Sequence, residues 1–487
     1  MDDAQNSTHW LGAASLAKKI RRGQISAHGN LKLMLSRIEK VNPRINAIIL
    51  KRVDEAIERA KAADRASRLG ESWGPLHGVP ISIKECFDWV GTPSTFGHLE
   101  RRNHQAEANA VVVERLLQAG AIVVGKSNVP KDLADWQSFN DVYGTTLNPW
   151  DPSCSAGGSS GGSAAALASG LTALEIGSDI GGSIRIPAHF CGVYGHKPTY
   201  GVVPFHGHAM QPGMPADDLS VIGPLARTAE DLALALRLIA APYGSSTRAW
   251  RFQFPRPKWK DLNGLRVAII TGDADFPVDN DTRRLCVVVG DALRSKGAQI
   301  TLDPELPLAS RTYYELYIAL LRAATSVRLS HTELEVISEA LKVRDSTNRE
   351  YETLMFHGLT QSHRRWLDYG MLRQQLRDRW DEFFTKQDLL ITPVSPTPAF
   401  RSMPNLPKSA QTLVVDGQVR PNADTYFWLG LASAAYLPAT TFPSGVSSNG
   451  LPIGLQIIGP EYSDLSCIRL AERLALLGHG FRPPPEF

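Results

Sequence analysis

GGSSGGSAAA, at positions 157–166, and GGSIR, at positions 181–185, are the two stretches from which the fold and the chemistry of this chain are inferred. Each contains a serine flanked by glycine, Ser159 in the first and Ser183 in the second. Because glycine has no Cβ, a substrate can approach these hydroxyls closely, and the neighbouring backbone N–H groups can turn towards an anion. The two stretches therefore indicate a site of nucleophilic catalysis.

A run rich in glycine and serine is often a flexible linker, and this alternative has to be weighed first. A linker is expected to be polar on both sides, whereas residues 164–176 are rich in alanine and leucine, which favour a helix. We therefore expect the glycines to form a tight turn that opens a buried helix over this run.

Two other glycine-containing motifs compete for the same stretch. The phosphate-binding loop GxxxxGK[ST] requires a lysine after its last glycine, but Gly162 is followed by Ser163, so this motif is excluded. Residues 157–161 do fit G-x-S-x-G, the nucleophile elbow of α/β-hydrolases, in which Ser159 is the nucleophile and a histidine follows later in the chain. The elbow remains an alternative to the assignments below.

The composition is typical of a soluble globular protein, because 43% of the 487 residues are hydrophobic and 21% are charged. The formal charge of +3 arises from dispersed lysines and arginines, and it gives no reason to expect nucleic acid or a membrane as a partner.

Cysteine and histidine usage points to a reducing compartment and to no metal. The five cysteines are widely spaced and include no CxxC pair, and the 13 histidines include no HExxH motif or ligand cluster. The sequence shows no signal-peptide pattern and no apolar run of the roughly 18 residues that a membrane span needs. We therefore expect a cytoplasmic protein without a metal or another cofactor.

A lysine at the end of an apolar strand is the candidate base. Residues 8–70 have the apolar spacing of amphipathic helices, and residues 79–83 then form a β-branched, apolar run that ends on Lys84. A lysine after a strand is ordinarily a solvated surface group. When a strand carries it into the interior, however, the lysine loses hydration, its pKa falls, and it can act as a neutral base near pH 7.

Strands and helices alternate through the region of the two serines. Residues 108–119 have a helical pattern and residues 121–125 that of a short buried strand, which favours an α/β layered fold. The segment 179–183 can turn several successive N–H groups to one side, as an oxyanion hole requires. The loop before the first serine carries Trp136 and Phe139, which suit either a pocket for an apolar substrate or simple core packing.

Four further segments extend this pattern along the chain: 78–84 (GVPISIK), 179–188 (DIGGSIRIPA), 196–201 (HKPTYG) and 450–456 (GLPIGLQ). Together with residues 157–166 they resemble the ordered motifs of the amidase signature family. The resemblance covers residues 10–240 and 385–475, whereas members of the family differ in the region that corresponds to residues 245–385.

The resemblance implies the fold of the whole chain. It predicts one α/β/α domain over residues 1–487, with a central, mixed and twisted β-sheet of about eleven strands flanked by helices. Within this domain, we expect N-terminal helices at 8–70, a catalytic core at 74–240, a variable and mostly helical region at 245–385, and C-terminal strands and a helix of the core at 386–475.

The resemblance also implies a Ser–cis-Ser–Lys triad that hydrolyses amides through an acyl-enzyme. On the matching positions, Ser183 is the nucleophile, Ser159 is the bridging serine after a cis peptide bond, and Lys84 is the base. The backbone N–H groups that form the oxyanion hole are expected at Ile180, Gly181, Gly182 and Ser183. The positions that hold the loops are expected at Ser160, Asp179 and Arg185.

Two segments depart from the family pattern, 131–140 and 430–443, and both flank the substrate side in the family. We therefore predict Trp136, Phe139 and Tyr436 as substrate-binding residues and a small to medium, hydrophobic amide as the substrate, with water as the second reactant. Esters and carbamates are related substrates. Members of the family often dimerise, so a homodimer is also expected.

Two other functions remain open at this stage. The amidase subunit of a glutamine-dependent tRNA amidotransferase shares the triad, and a non-catalytic protein can retain the fold. The complete triad argues against the second of these.

Overall fold

The computed structural model describes residues 8–210, 214, 217–345, 349–404 and 406–487. Within these ranges the helices are α1 (Ala13–Arg21), α2 (Ala27–Ile45), α3 (Val53–Arg68), α4 (Val111–Gln118), α5 (Gly161–Ala168), α6 (Arg185–Cys191), α7 (Ala229–Ile239), α8 (Asn280–Arg294), α9 (Ser310–Thr325), α10 (His331–Lys342), α11 (Tyr351–Leu359), α12 (His363–Lys386), α13 (Thr425–Ser433) and α14 (Asp464–Leu476).

The strands in the same ranges are β1 (Ile48–Lys51), β2 (Pro80–Lys84), β3 (Ile122–Ser127), β4 (Phe139–Asn140), β5 (Gly144–Thr145), β6 (Leu174–Asp179), β7 (Tyr194–Lys197), β8 (Val221–Ala226), β9 (Arg266–Ile269), β10 (Gln299–Leu302), β11 (Leu389–Pro393), β12 (Thr412–Val415), β13 (Gln418–Pro421), β14 (Ala439–Val446) and β15 (Pro452–Ile458).

The main sheet has eight strands in the order β10-β9-β11-β15-β14-β7-β8-β6. It is mixed, because β9 pairs in parallel with both β10 and β11, while the remaining pairs are antiparallel. A separate sheet has the order β1-β3-β2. The mixed α/β fold expected from sequence is confirmed, but the expected single sheet of about eleven strands is divided into hydrogen-bonded sheets of eight and three.

Polar side chains join these two sheets. Ser82 of β2 and Ser127 of β3 both donate to the carboxyl group of Glu175 in β6. The backbone N–H of Ser82 also donates to the hydroxyl of Thr172, at 3.0 Å. Burial raises the pKa of Glu175 to about 7. Side-chain hydrogen bonds therefore replace a main-chain ladder at this junction, and they set β2 beside β6.

Apolar residues cover both faces of the main sheet. In β11, Leu389 and Ile391 belong to one apolar cluster, and Leu390 between them belongs to the other. Successive side chains of a strand point to opposite faces, so a strand buried on both sides is apolar throughout. The sheet is thus the middle layer between two helical layers, as the α/β/α prediction requires.

The helix that follows the first serine is shorter than expected. It ends at Ala168, and Gly170 then adopts a left-handed conformation with φ of +68°. Residues 174–179 form β6 rather than a continuation of the helix. The prediction of a helix over 164–176 was therefore wrong in its second half, because a short apolar run fits a buried strand as well as a buried helix.

The region 245–385 contributes β9, β10 and the helices α8 to α12. Helix α9 packs on α11 and α13, and Tyr313 of α9 donates to the main-chain oxygen of Leu431 at 2.9 Å. This region is therefore part of the core and, through α9, α10 and α11, contributes to the cavity described below.

Candidate active site

Lys84, the last residue of β2, is completely buried. Its Nζ lies 2.6 Å from Ser159 Oγ and 2.9 Å from Ser178 Oγ. Burial is the main cause that lowers the pKa of Lys84 from its ordinary value of 10.5 to about 8. An appreciable fraction of this lysine is therefore neutral near pH 7, in direct contact with a serine hydroxyl.

A chain of hydrogen bonds leads away from Lys84 on its other side. His208 Nε2 lies 2.8 Å from Ser178 Oγ, and burial lowers the pKa of this histidine to about 3, so its ring is neutral. With Nε2 as the acceptor, the hydroxyl of Ser178 donates to His208. The two N–H groups of neutral Lys84 then face Ser178 Oγ and, at 3.5 Å, the Ser178 main-chain oxygen, which leaves the lone pair for Ser159.

The glycines before Ser159 are required by close approach of the backbone. A Cβ at Gly158 would lie 2.2 Å from the main-chain oxygen of Asp135, and a Cβ at Gly157 would lie 2.5 Å from Pro187 Cα. The Gly158–Ser159 peptide bond is cis, as the family resemblance implies. These glycines therefore serve a fixed, tightly packed loop and not a flexible one.

Ser160 connects the two serine loops through its backbone. Its N–H donates to the main-chain oxygen of Ser183 at 3.1 Å. Its buried hydroxyl makes no hydrogen bond with any residue in the described part of the chain. The predicted loop-holding position is thus in place, but the main chain makes the contact.

Asp179 and Arg185 form a buried ion pair behind Ser183. Arg185 Nη2 lies 3.0 Å from Asp179 Oδ1, and the same carboxylate accepts from the backbone N–H of Ile184 at 3.1 Å. Burial raises the pKa of Asp179, but the charge of Arg185 and these hydrogen bonds outweigh it and hold the pKa below its ordinary value. Arg185 also donates to α13 and β15, so the ion pair fixes the serine loop to the sheet.

Three donors fix the peptide planes of the 180–183 loop. Tyr317 of α9 donates to the main-chain oxygen of Ile180 at 2.7 Å, and the indole N–H of Trp136 donates to that of Gly181 at 2.8 Å. The N–H of Ile186 donates to the main-chain oxygen of Gly182 at 2.8 Å. In a trans peptide the N–H points away from the preceding C=O. The N–H groups of Gly181 and Ser183 therefore face away from these donors, and neither donates to any described residue.

Gly182 differs from its neighbours in this loop. Its N–H donates to Asp179 Oδ1 at 2.9 Å. The sequence prediction placed it in the oxyanion hole with Ile180, Gly181 and Ser183. In the structure the amide of Gly182 is engaged by this carboxylate, which leaves Ile180, Gly181 and Ser183 as the candidate donors.

A cavity of about 520 Å³ lies against Ser183, a size that suits a small-molecule ligand. Helices α9, α10 and α11 contribute Leu321, Ile337, Met355, Phe356 and Leu359 to its apolar wall. The residues that line it are His98, Lys131, Asp132, Leu133, Ala134, Asp135, Trp136, Ile180, Gly181, Ser183, Leu321, Arg322, Thr325, Arg328, Leu329, Glu333, Ile337, Met355, Phe356, Leu359, Lys408 and Tyr426.

Of the three predicted substrate-binding residues, only Trp136 lines this cavity. Phe139 lies in the short hairpin of β4 and β5, and Tyr436 stacks on Tyr200 with ring centroids 4.4 Å apart and donates to Asp218. The structure therefore does not bring Phe139 and Tyr436 to the cavity beside Ser183. The sequence analysis chose these residues because segments 131–140 and 430–443 flank the substrate side in the family, but that position does not determine which side chains face the cavity.

Neither a metal site nor a membrane span is found in the described ranges. In them no three His, Cys, Asp or Glu side chains come together as a group that could hold a metal ion. No helix there is long and apolar enough to span a membrane.

Comparison with known proteins gives matches over nearly the whole chain. Residues 30–468 match the amidase family. The chain is 31% identical over 482 residues to the acylamidase of Rhodococcus erythropolis, with 96% of this chain and 95% of that protein covered. It is 33% identical over 490 residues to a glutamyl-tRNA(Gln) amidotransferase subunit of Deinococcus radiodurans, with 96% and 97% covered.

A solved structure gives a similar result. The chain superimposes with a TM-score of 0.80, at 27% identity, on a chain from a vestigial protein complex that was solved to trace the evolutionary origins of an s-triazine catabolic enzyme. The aligned part covers 96% of this chain and 99% of that one.

Fold and matches together define the class of the protein as an amide-hydrolysing enzyme with a mixed α/β fold. The chain belongs to the amidase signature family and is an amidase. The family resemblance and the enzyme class predicted from the sequence are thereby confirmed.

Proposed function

We propose that this amidase hydrolyses the C–N bond of a small to medium carboxylic amide through an acyl-enzyme, with Ser183 as nucleophile, Ser159 as bridging serine and Lys84 as base. The main support is the 2.6 Å contact between Lys84 Nζ and Ser159 Oγ at a completely buried site. Ser183 lines the cavity, and the hydrogen bond from the Ser160 N–H to its main-chain oxygen joins the two serine loops.

In the first step the Ser183 oxygen forms a bond to the carbonyl carbon of the amide. Its proton passes to Ser159, and the proton of Ser159 passes to the lone pair of Lys84. The resulting ammonium group remains hydrogen-bonded to Ser178. Its lowered pKa allows the same group to return the proton later near neutral pH.

The oxyanion of the tetrahedral intermediate binds to the N–H groups of Gly181 and Ser183, with Ile180 as a third donor. An oriented donor of this kind lowers the barrier by roughly 3 kcal/mol. Tyr317 and Ile186 hold the adjoining carbonyls, so these donors need not reorganise as negative charge develops.

In the second step Lys84 returns its proton through Ser159 to the nitrogen of the leaving amine, and the C–N bond breaks. Water then attacks the acyl-enzyme and gives up a proton along the same path. The carboxylic acid leaves, and the hydroxyl of Ser183 is restored. Lys84 therefore accepts and returns one proton as the acyl-enzyme forms, and one more as it is hydrolysed.

Labelling with a fluorophosphonate probe, followed by intact mass measurement and peptide mapping, tests the assignment. We expect one label per chain on Ser183, no label on Ser183→Ala, and slow labelling of Ser159→Ala. A label on Ser159 in the wild-type protein would instead support the nucleophile elbow. A protein that neither reacts with the probe nor hydrolyses any of a broad panel of amides and esters would be the non-catalytic alternative.

The amidotransferase subunit is a second candidate, because the chain is 33% identical to one such subunit. The apolar wall of the cavity, which includes Leu321, Met355 and Phe356, favours a substrate with an apolar body over glutamine. The purified chain without partners decides between the two. Turnover of aryl or alkyl amides but not of glutamine supports the amidohydrolase, and the reverse result supports the amidotransferase subunit.

A further inference from the structure

Two cations in the cavity beside Ser183 have no carboxylate partner among the described residues, and this bears on the nature of the substrate. Lys408 precedes β12 and reaches over the ring of Trp136, with Nζ 3.4 Å from the ring centroid. It makes no ion pair within 4.0 Å and no side-chain hydrogen bond with any described residue. Burial lowers its pKa to about 8, so it is still mostly protonated at pH 7.

Arg322 of α9 is the second cation. It donates to the hydroxyls of Tyr351 and Tyr426, and its buried Nε has no acceptor among the described residues. Burial raises the pKa of Tyr351, so this phenol is neutral and supplies hydrogen bonding but no charge. Both cations lie near the same Tyr426 ring, Arg322 Cζ at 5.6 Å and Lys408 Nζ at 5.0 Å from its centroid.

The three carboxylates that line the cavity have other donors. Asp132 lies 2.6 Å from His98 Nε2, and Glu333 accepts from the N–H and hydroxyl of Ser330 in the cap of α10. Asp135 accepts from the N–H of Trp136 at 2.6 Å and from a glutamine side chain at 3.0 Å. Asp135 raises the pKa of Lys408 through its charge but is not in contact with it.

The other two cations of the lining are differently placed. Arg328 pairs with Asp217 at 2.8 Å, and Lys131 is exposed to solvent. Arg322 and Lys408 therefore stand out, because partly buried charges without a counter-charge are costly and are usually paired.

We propose that the substrate of this amidase carries a carboxylate that binds between Arg322 and Lys408, while its apolar body lies on the wall formed by α9, α10 and α11. The inference rests on the proposed function, because it places the substrate in the cavity beside Ser183. The substrate class is then an acidic amide with an apolar or aromatic body.

Two pairs of neutral and anionic amides of equal shape test this inference. The first pair, 4-carboxyphenylacetamide and 4-nitrophenylacetamide, differs in charge on the acyl side. The second, N-(4-carboxybenzyl)acetamide and N-(4-nitrobenzyl)acetamide, differs on the amine side. A methylene group insulates the reacting amide from the substituent in both, so kcat/KM reports binding of the charged group.

In at least one pair we expect the wild-type protein to prefer the carboxylate by about tenfold or more in kcat/KM, as expected for a hydrogen-bonded charge. Lys408→Gln should remove most of this preference, measured within the variant as the ratio of kcat/KM for the carboxylate compound to kcat/KM for the nitro compound. Lys408→Arg should restore it, and Arg322→Gln should lower it as well. Glutamine, which lacks the apolar body, should be a poorer ligand than the preferred carboxylate.

The inference is overturned if the nitro compound is preferred in both pairs, or if neither Lys408→Gln nor Arg322→Gln changes the preference. Calorimetric binding of the same amides to Ser183→Ala gives the comparison without turnover. A label that falls elsewhere than Ser183, together with carboxylate binding that depends on Lys408, would refute the proposed mechanism and leave this inference standing.

Discussion

Replacement of Lys84 by methionine tests the central element of the mechanism, a base made usable by burial. Methionine keeps the apolar length of the side chain but removes the amine that contacts Ser159 and Ser178. General-base catalysis typically contributes 10²–10⁴-fold, so kcat for a neutral amide should fall by about that factor.

The pH dependence gives a sharper test. With a pKa of about 8, about a tenth of Lys84 is neutral at pH 7 and about nine-tenths at pH 9. Because the neutral form is the active one, kcat/KM of the wild-type protein should rise about tenfold over this interval and then level off. The assay is the initial rate with a neutral amide at low concentration, divided by the number of sites titrated with the fluorophosphonate probe.

Lys126 supplies a matched control for this experiment. It lies in β3 beside β2, is fully buried, and has a pKa that burial likewise lowers to about 8. It donates to the main-chain oxygens of Glu85 and Pro93 and to Ser94, and not to either serine loop. Lys126→Met should therefore lower stability but keep the rise of kcat/KM with pH.

A wild-type profile that is flat between pH 7 and pH 9 would refute the desolvated lysine as the base. If the rise of kcat/KM with pH disappeared in Lys126→Met while the titrated sites stayed intact, Lys126 and not Lys84 would be its cause. If Lys84→Met kept both the rise of kcat/KM with pH and most of the activity, the proposed proton path through Ser159 to Lys84 would be refuted.

Three further substitutions test the parts that orient the site. His208→Phe removes the acceptor of the Ser178 hydroxyl, so kcat should fall by about tenfold, and His208→Gln, which keeps an acceptor, should recover part of the loss. Equal kcat values for the wild-type protein and His208→Phe would contradict a role of this hydrogen-bond chain in orienting Lys84. Tyr317→Phe frees the carbonyl of Ile180 and should lower kcat by about tenfold with little change in KM, whereas a change in KM alone would indicate a role in binding. Gly158→Ala places a Cβ 2.2 Å from a main-chain oxygen, so it should lower stability by about 3 kcal/mol or more and abolish labelling. In the control Gly370→Ala, the added Cβ meets no neighbouring group within 4 Å, and the melting temperature should rise slightly. Similar melting temperatures for the two variants would argue against close packing at Gly158.

The sequence was sufficient to identify the candidate site residues that lie in contiguous motifs. Lys84 follows directly from an apolar strand, and Ser159 and Ser183 from glycine-rich loops, so local pattern and family resemblance name the same groups. The Asp179 and Arg185 pair also lies within one motif. Short-range geometry decides the contact between Asp179 and Arg185, whereas the fold brings Lys84 and Ser159 together from distant motifs.

Contacts between distant segments could not be predicted in the same way. His208 and Tyr317 reach the site from positions without a motif, and Tyr317 lies in a helix whose pattern shows only amphipathic periodicity. The division of the strands into two sheets depends on a polar junction at Glu175, which no local signal marks. The positions of Arg322 and Lys408 likewise depend on how α9 and the segment before β12 pack around Trp136.

The two kinds of residue divide the site into a part for chemistry and a part for selectivity. The groups proposed for chemistry, Lys84, Ser159 and Ser183, lie at the end of β2 and on the two glycine-rich loops, all within the motifs. The two cations lie on α9 and before β12, and part of the apolar wall lies on α9 to α11, all outside those motifs. A probe that needs only the chemistry should therefore label Ser183 at a similar rate in the wild-type protein and in Lys408→Gln, although the two differ in their choice between carboxylate and nitro amides. Because a loss of folding would slow both reactions together, a change in selectivity at constant labelling rate can arise only from the binding part of the site.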